Sequence, residues 1–211
     1  MSRPATVLLT GFGPFPGIPV NASGLLVPRL ARAARKRFPG VTINALVLPT
    51  EWLRGPARVR AAIARNAPDI AIHFGVSPQA HGFVIERRGV NACSSAADGA
   101  GRLPPLAVLD PDGPERLAST LPVARIVKQL TAAGLPAVAS DDAGTYLCNA
   151  VLFQSLALAA GRKSGLLAGF IHIPASLAGA GPDGRSPAHG CTLTLDQALA
   201  GGLEILAACL D

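Results

Sequence analysis

Aromatic residues make up only 4% of this 211-residue chain, and 13 acidic residues face 19 lysines and arginines. The shortage of aromatics argues against a surface built to stack on nucleic-acid bases, since no rings interleave with the arginines. The densest cationic group is Arg29, Arg32, Arg35, Lys36 and Arg37. It reads as a solvated helix face, and the net charge of +6 does not by itself call for a nucleic-acid partner. No apolar run reaches the roughly 18–20 residues that span a bilayer, so no membrane partner is expected. The start, Met1-Ser2-Arg3-Pro4-Ala5-Thr6, lacks the pattern of a signal peptide and leads into a short strand. The four cysteines, Cys93, Cys148, Cys191 and Cys209, include no CxxC pair, which argues against a zinc knuckle or a thioredoxin-type motif. Free thiols in a reducing cytoplasm are the expectation. Neither an internal repeat nor a dividing linker is visible, and one domain over residues 1–211 is expected.

What is present suits a globular protein: 49% hydrophobic and 15% charged residues, enough to bury a substantial core. Apolar runs predict strands at 6–12, 41–48, 69–75, 137–140 and 166–173, with further extended chain at 83–91 as one arm of a hairpin. Helical spacing predicts helices from a cap at Ser23 to residue 38, and at 52–66, 123–133, 147–160 and 195–210, the last interrupted by Gly201-Gly202. Gly134 is placed to end the third helix. Residues 92–122, rich in Gly and Pro, form a long loop. Strands alternating with helices predict an α/β protein, a three-layer α/β/α sandwich around a mainly parallel, mixed central sheet. Strand order does not follow.

In such sheets ligand sites lie beyond the carboxyl ends of strands. The segments 11–17, 75–80, 141–148 and 172–174 all fall at such ends. Cys148 follows the turn Asp141-Asp142-Ala143-Gly144-Thr145 and stands at the start of a helix. A helix N-terminus favours the thiolate, the nucleophilic form of cysteine, and its free N–H groups suit an oxyanion. His172 lies near the end of the next strand, just before Pro174, where an imidazole can exchange protons with a nucleophile and a leaving group. The plain alternatives are a buried thiol and a core histidine. His73, in mid-strand, reads as structural, whereas His81 and His189 lie in loops. A third group to orient the imidazole has four candidates, Glu86, Asp98, Asp141 and Asp142, and spacing does not choose among them. The loop Gly11-Phe12-Gly13-Pro14-Phe15-Pro16-Gly17 is not a dinucleotide fingerprint, because its third glycine is misplaced and two prolines remove N–H donors. It presents Phe12 and Phe15, which can wall a small flat ligand or pack into the core.

These segments together resemble the pyroglutamyl peptidase I, or pyrrolidone-carboxylate peptidase, family. LLTGFGPFPGIPVNAS resembles its opening signature, FVIERRGVN its glutamate-bearing segment, DDAGTYLCNAVLFQSL the segment around its nucleophile and AGFIHIP the strand with its histidine. The blocks stand in the family's order from residue 7 to residue 174. The resemblance implies Cys148 as nucleophile, His172 as general acid and base, and Glu86 as third catalytic residue. It implies Phe12 and Phe15 as aromatic walls, with Val76, Tyr146 and Leu147 at further substrate-binding positions. It implies no metal and no cofactor, peptides with a blocked pyroglutamyl N-terminus as partners, and leaves a homo-oligomer open. Val76 stands where bacterial members commonly carry a lactam-binding glutamine, and Tyr146-Leu147 where Phe-Val is usual.

The expected activity is that of a cysteine exopeptidase cleaving after an N-terminal pyroglutamate through a thioester. The rival readings are a thiol hydrolase acting on another small cyclic amide or blocked N-terminus, and a non-catalytic small-molecule-binding relative with an inert Cys148.

Overall fold

Alternate residues of the first strand, Thr6–Phe12 (β1), divide between two cores: Val7 and Leu9 enter one, Leu8 and Phe12 the other. A strand buried on both faces needs helices above and below, and the described residues supply five. A computed structural model describes residues 3–162, 165–178 and 193–211. Along it run α1 (Ala22–Arg37), β2 (Thr42–Leu48), α2 (Arg54–Asn66), β3 (Ile70–Ser77), β4 (Phe83–Glu86), β5 (Arg88–Val90), β6 (Arg116–Ala118), α3 (Val123–Ala132), β7 (Ala137–Ser140), α4 (Leu147–Ala160), β8 (Leu167–Pro174) and α5 (Leu195–Leu210).

The central sheet has six strands in the order β2-β1-β3-β8-β4-β7. Strands β2, β1, β3 and β8 are mutually parallel. Strand β4 pairs antiparallel with β8 and parallel with β7, so the direction of the sheet reverses between β8 and β4. Helices α1, α3 and α5 pack on one face and α2 and α4 on the other, giving the three-layer α/β/α architecture with a mainly parallel mixed sheet. The 83–91 segment is interrupted at Arg87. Its first part joins the main sheet, and its second pairs antiparallel with β6 in a two-stranded ribbon that packs on α4.

Two local details differ from the sequence expectation. Asn21, not Ser23, caps α1: its side chain accepts from the Ser23 N–H, while the Ser23 hydroxyl accepts from the Phe12 N–H at 3.0 Å. Gly201-Gly202 does not interrupt α5. A side-chain carbon at Gly201 would lie 2.2 Å from the Phe83 ring, and one at Gly202 would lie 2.7 Å from Leu30. The pair lets α5 sit close against Phe83 of β4 and Leu30 of α1. The predicted loop at 178–190 and His189 and Cys191 lie outside the described residues, apart from Ala178.

Candidate active site

The alternation of β8 decides where His172 points. Ile171 and Ile173 enter the core under α1, α3 and α5, whereas Ala168 and Phe170 enter the core under α2 and α4. His172 shares the parity of Phe170, with the two rings 4.8 Å apart, and so faces α4. Strand β4 repeats the logic: Phe83 and Ile85 go to the first core, and Glu86 to the face of His172. Val84 pairs across the sheet reversal with His172, and Glu86 comes within 2.8 Å of it, Oε1 to Nδ1.

Helix α4 opens over the same face. Tyr146 is its N-cap in extended conformation, and no side chain caps the first turn. The N–H groups at the head of the helix are thus left to a ligand, and the helix dipole favours negative charge there. Cys148, second in the helix and half-buried, lies over Gly75 of β3, the residue paired in register with His172. A side-chain carbon built on Gly75 would stand 2.9 Å from the Cys148 sulfur and 2.5 Å from the Phe170 ring, so only glycine leaves room for the sulfur. The sulfur and His172 line the same cleft. With Nδ1 turned to Glu86, the other ring nitrogen is the one available to it.

Burial pulls the His172 pKa down, but the negative charge of the Cys148 thiolate, its hydrogen bond, and Glu86 outweigh this and push it up to about 10. The surroundings of the imidazole therefore favour its protonated form over the neutral ring. Glu86 is 1% exposed, and its Oε2 has no hydrogen-bond partner among the described residues. An unpaired buried carboxylate oxygen strengthens the demand for positive charge nearby.

The other three candidates for an orienting carboxylate are engaged elsewhere. Asp98 is buried, and burial would raise its pKa. The N–H groups of Arg102, Trp52 and Ala100, with the Arg102 charge, instead hold the carboxyl below its usual range. Asp141 pairs with Arg87 at 2.9 Å and accepts from Arg88 on its backbone oxygen. Asp142 accepts from the Gly144 N–H and stays exposed.

Cys148, His172 and Glu86 line one cleft of about 540 Å³, together with Val76, Gln79 and Tyr146. Phe12 and Leu147 do not line it: both are buried in the core under α2 and α4, and the Phe12 ring packs on Phe170 with centroids 6.3 Å apart. Phe15 is half-buried and lines a separate depression, which Tyr146 shares. Tyr146 thus forms the wall between the two hollows. Trp52 packs edge-on against it at 5.1 Å, and the Tyr146 hydroxyl donates to the Ala97 carbonyl. Sequence reasoning missed Gly75 as the seat of the sulfur and Gln79 as a cleft residue. It also missed Asn149, whose signal was a polar residue in the first turn of a mostly apolar helix. His73 is structural as expected: it is fully buried and bonded to Thr10 and Ser155. Among the described residues no cluster of His, Cys, Asp and Glu can hold a metal, and no helix is long and apolar enough to cross a membrane.

A thiol over a helix start, with an imidazole beside it on an α/β sheet, belongs to the class of cysteine hydrolases. The family model described as pyroglutamyl peptidase matches residues 5–200. The pyrrolidone-carboxylate peptidase of Gloeobacter violaceus is 38% identical over 169 residues, 80% of each chain. That of Pyrococcus furiosus is 35% identical over 174 residues, again 80% of each. The crystal structure of pyroglutamyl peptidase I from Bacillus amyloliquefaciens superposes with a TM-score of 0.83 at 29% identity, covering 98% of each chain. A mutant pyrrolidone carboxyl peptidase from Pyrococcus furiosus gives 0.84 at 29% identity, covering 97% of this chain and 98% of that one. The chain belongs to the pyroglutamyl peptidase family, cysteine peptidases that remove N-terminal pyroglutamate.

Proposed function

We propose that the protein hydrolyses the bond after an N-terminal pyroglutamate with Cys148 as nucleophile, His172 as acid and base, and Glu86 as the residue that orients His172. The Cys148 thiolate attacks the carbonyl carbon of pyroglutamate. The N–H groups at the head of α4 receive the oxyanion, each such donor being worth about 3 kcal/mol in comparable sites. The His172 cation protonates the leaving amine, the C–N bond breaks, and a thioester to Cys148 remains. Neutral His172 then takes a proton from water, whose oxygen attacks the thioester and frees pyroglutamate and the thiolate. Glu86 fixes the ring through Nδ1 and stabilises its charge in both steps.

The observation that carries this reading is the Glu86–His172 contact of 2.8 Å beside a sulfur seated on Gly75. The 540 Å³ cleft has room for a five-membered lactam and the residue after it. A blocked N-terminus brings no charged amine, which suits a cleft whose wall includes Val76, Val84 and Ala80. Tyr146 would contact the ring directly, whereas Phe12 and Leu147 would act as packing behind the wall, and Phe15 would serve from the adjoining hollow. The described cysteines Cys93, Cys148 and Cys209 are free, which supports a cytoplasmic setting. Exposed Leu53, Leu103 and Leu106 would suit self-association.

The test is turnover of a pyroglutamyl fluorogenic amide by the wild type beside Cys148→Ser. The wild type is expected to be active and the variant to lose roughly 10³-fold or more in kcat; equal rates would remove Cys148 from its role. Val76 on the cleft wall favours one alternative, a different small cyclic amide as substrate. Amides of related acyl groups compared in the same assay decide it, since a preference for pyroglutamate removes that alternative.

A further inference from the structure

Asn149 follows the proposed nucleophile and is completely buried. A buried carboxamide must find partners for both its ends. Asn149 finds them on one stretch of chain. Its Oδ1 accepts from the Val90 N–H at 2.8 Å, and its Nδ2 donates to the carbonyls of Val90 at 2.8 Å and Ala92 at 3.1 Å. It treats Val90 as a strand neighbour would, although it is a side chain on a helix. Val90 ends β5, four residues beyond Glu86. At Gly89 the ribbon touches α4: a side-chain carbon there would lie 3.2 Å from both Leu152 and the Phe153 nitrogen. Two more bonds continue the seam, from the Ser94 N–H to the Thr145 carbonyl at 2.7 Å and from the Tyr146 hydroxyl to the Ala97 carbonyl at 3.0 Å. The turn that presents Cys148 is thus fastened on both sides to the segment that begins at Glu86.

We propose that Asn149 is a positioning residue that sets the distance and facing of the Cys148 sulfur relative to the His172–Glu86 pair, by clamping the first turn of α4 to β5. The proposal rests on the reading of Cys148 as nucleophile. Three hydrogen bonds from one side chain hold a turn more stiffly than helix packing alone, and thiolate–imidazolium pairing falls off steeply with distance.

The experiment measures kcat, KM and the pH profile of Cys148 alkylation by iodoacetamide, mapped by mass spectrometry, for wild type, Asn149→Ala and Asn149→Asp, with folding checked by circular dichroism. Alanine removes the clamp. Aspartate keeps an acceptor for the Val90 N–H but loses both donors and adds charge near the sulfur. Both variants are expected to lose roughly tenfold or more in kcat while KM stays within about twofold, and the alkylation midpoint is expected to rise by about one pH unit. A folded variant that keeps the wild-type kcat and alkylation profile, with only its unfolding midpoint lowered, would overturn the proposal and leave Asn149 a stability residue. If neither Asn149 variant folds, Gly89→Ala decides, because it presses on the same seam from the β5 side: the same kinetic signature supports the clamp, and wild-type behaviour overturns it. Should the wild type turn over no pyroglutamyl amide, the functional reading fails separately, and the alkylation profiles still decide this one.

Discussion

Gly75 shows how little room the chemistry leaves at the scale of one residue. A methyl group there would meet both the Cys148 sulfur and the Phe170 ring. Contacts of that length force one neighbour to move, and Phe170 is fixed in the core, so the sulfur yields first. Gly75→Ala is therefore expected to lower kcat by roughly tenfold or more, beyond what its loss of stability, about 1–3 kcal/mol, accounts for. Steady-state kinetics well below the unfolding midpoint check this, and an unchanged kcat would mean that the sulfur has slack. The same crowding shows why the roles of single residues are unevenly legible in sequence. Cys148 and His172 stand out because a thiol before an apolar helix and an imidazole at a strand end are unusual. Glu86 could not be separated from Asp98, Asp141 and Asp142 by spacing, since what separates them is which partner each meets: an imidazole, three backbone N–H groups, an arginine, or a turn.

At the scale of elements, local pattern carried far. Helix α5 runs over Leu195–Leu210 and α4 over Leu147–Ala160, where apolar spacing places them, and the N-terminus of α5 carries a capping box from Thr194 to Gln197. The failures have a common cause. The Asn21–Ser23 exchange of roles at α1 depends on a bond from Ser23 to the backbone of Phe12, eleven residues away. The split of 83–91 into two strands depends on β6, more than twenty-five residues on. The reversal between β8 and β4 sets Val84 opposite His172, and strand order of this kind is long-range pairing that no local window contains. The face on which each site residue lies was nevertheless implicit in sequence, because alternation along β4 and β8 fixes it once one residue of each is known to be in the core. Phe12 and Leu147 illustrate the reverse. Resemblance implies substrate-binding positions for them, whereas both are buried and neither lines the cleft of Cys148, His172 and Glu86.

At the scale of the whole molecule, two histidines make stability depend on pH in opposite directions. His73 joins β1 to α4 through Thr10 at 2.7 Å and Ser155 at 2.8 Å, and burial drives its pKa from 6.5 down to about 3. Below pH 6.5 the unfolded chain binds a proton there that the folded chain refuses. The contribution is thus whole above 6.5 and is lost as pH falls toward 3. Between pH 6.5 and 5, where ordinary carboxylates titrate little, the loss should be about 2 kcal/mol, measurable as a falling urea midpoint. His73→Gln should flatten that slope, and an equal slope in the variant would contradict the assignment. His172 works the other way: with its pKa raised to about 10, its contribution is whole below 6.5 and disappears as pH rises through 10. The fold therefore favours the neutral form of one imidazole, bonded between its layers, and the charged form of another, beside Glu86.

Affinity labelling reports directly whether Cys148 is the nucleophile. A pyroglutamyl chloromethyl ketone, incubated with the protein until activity is lost and followed by peptide mapping, reports which side chain attacks from the substrate site. One modified residue is expected, Cys148, protected by excess pyroglutamyl substrate and unreactive once His172 is replaced by alanine. Loss of activity with Cys148 unmodified and the label on another residue, such as Cys93 in its separate hollow, would contradict it.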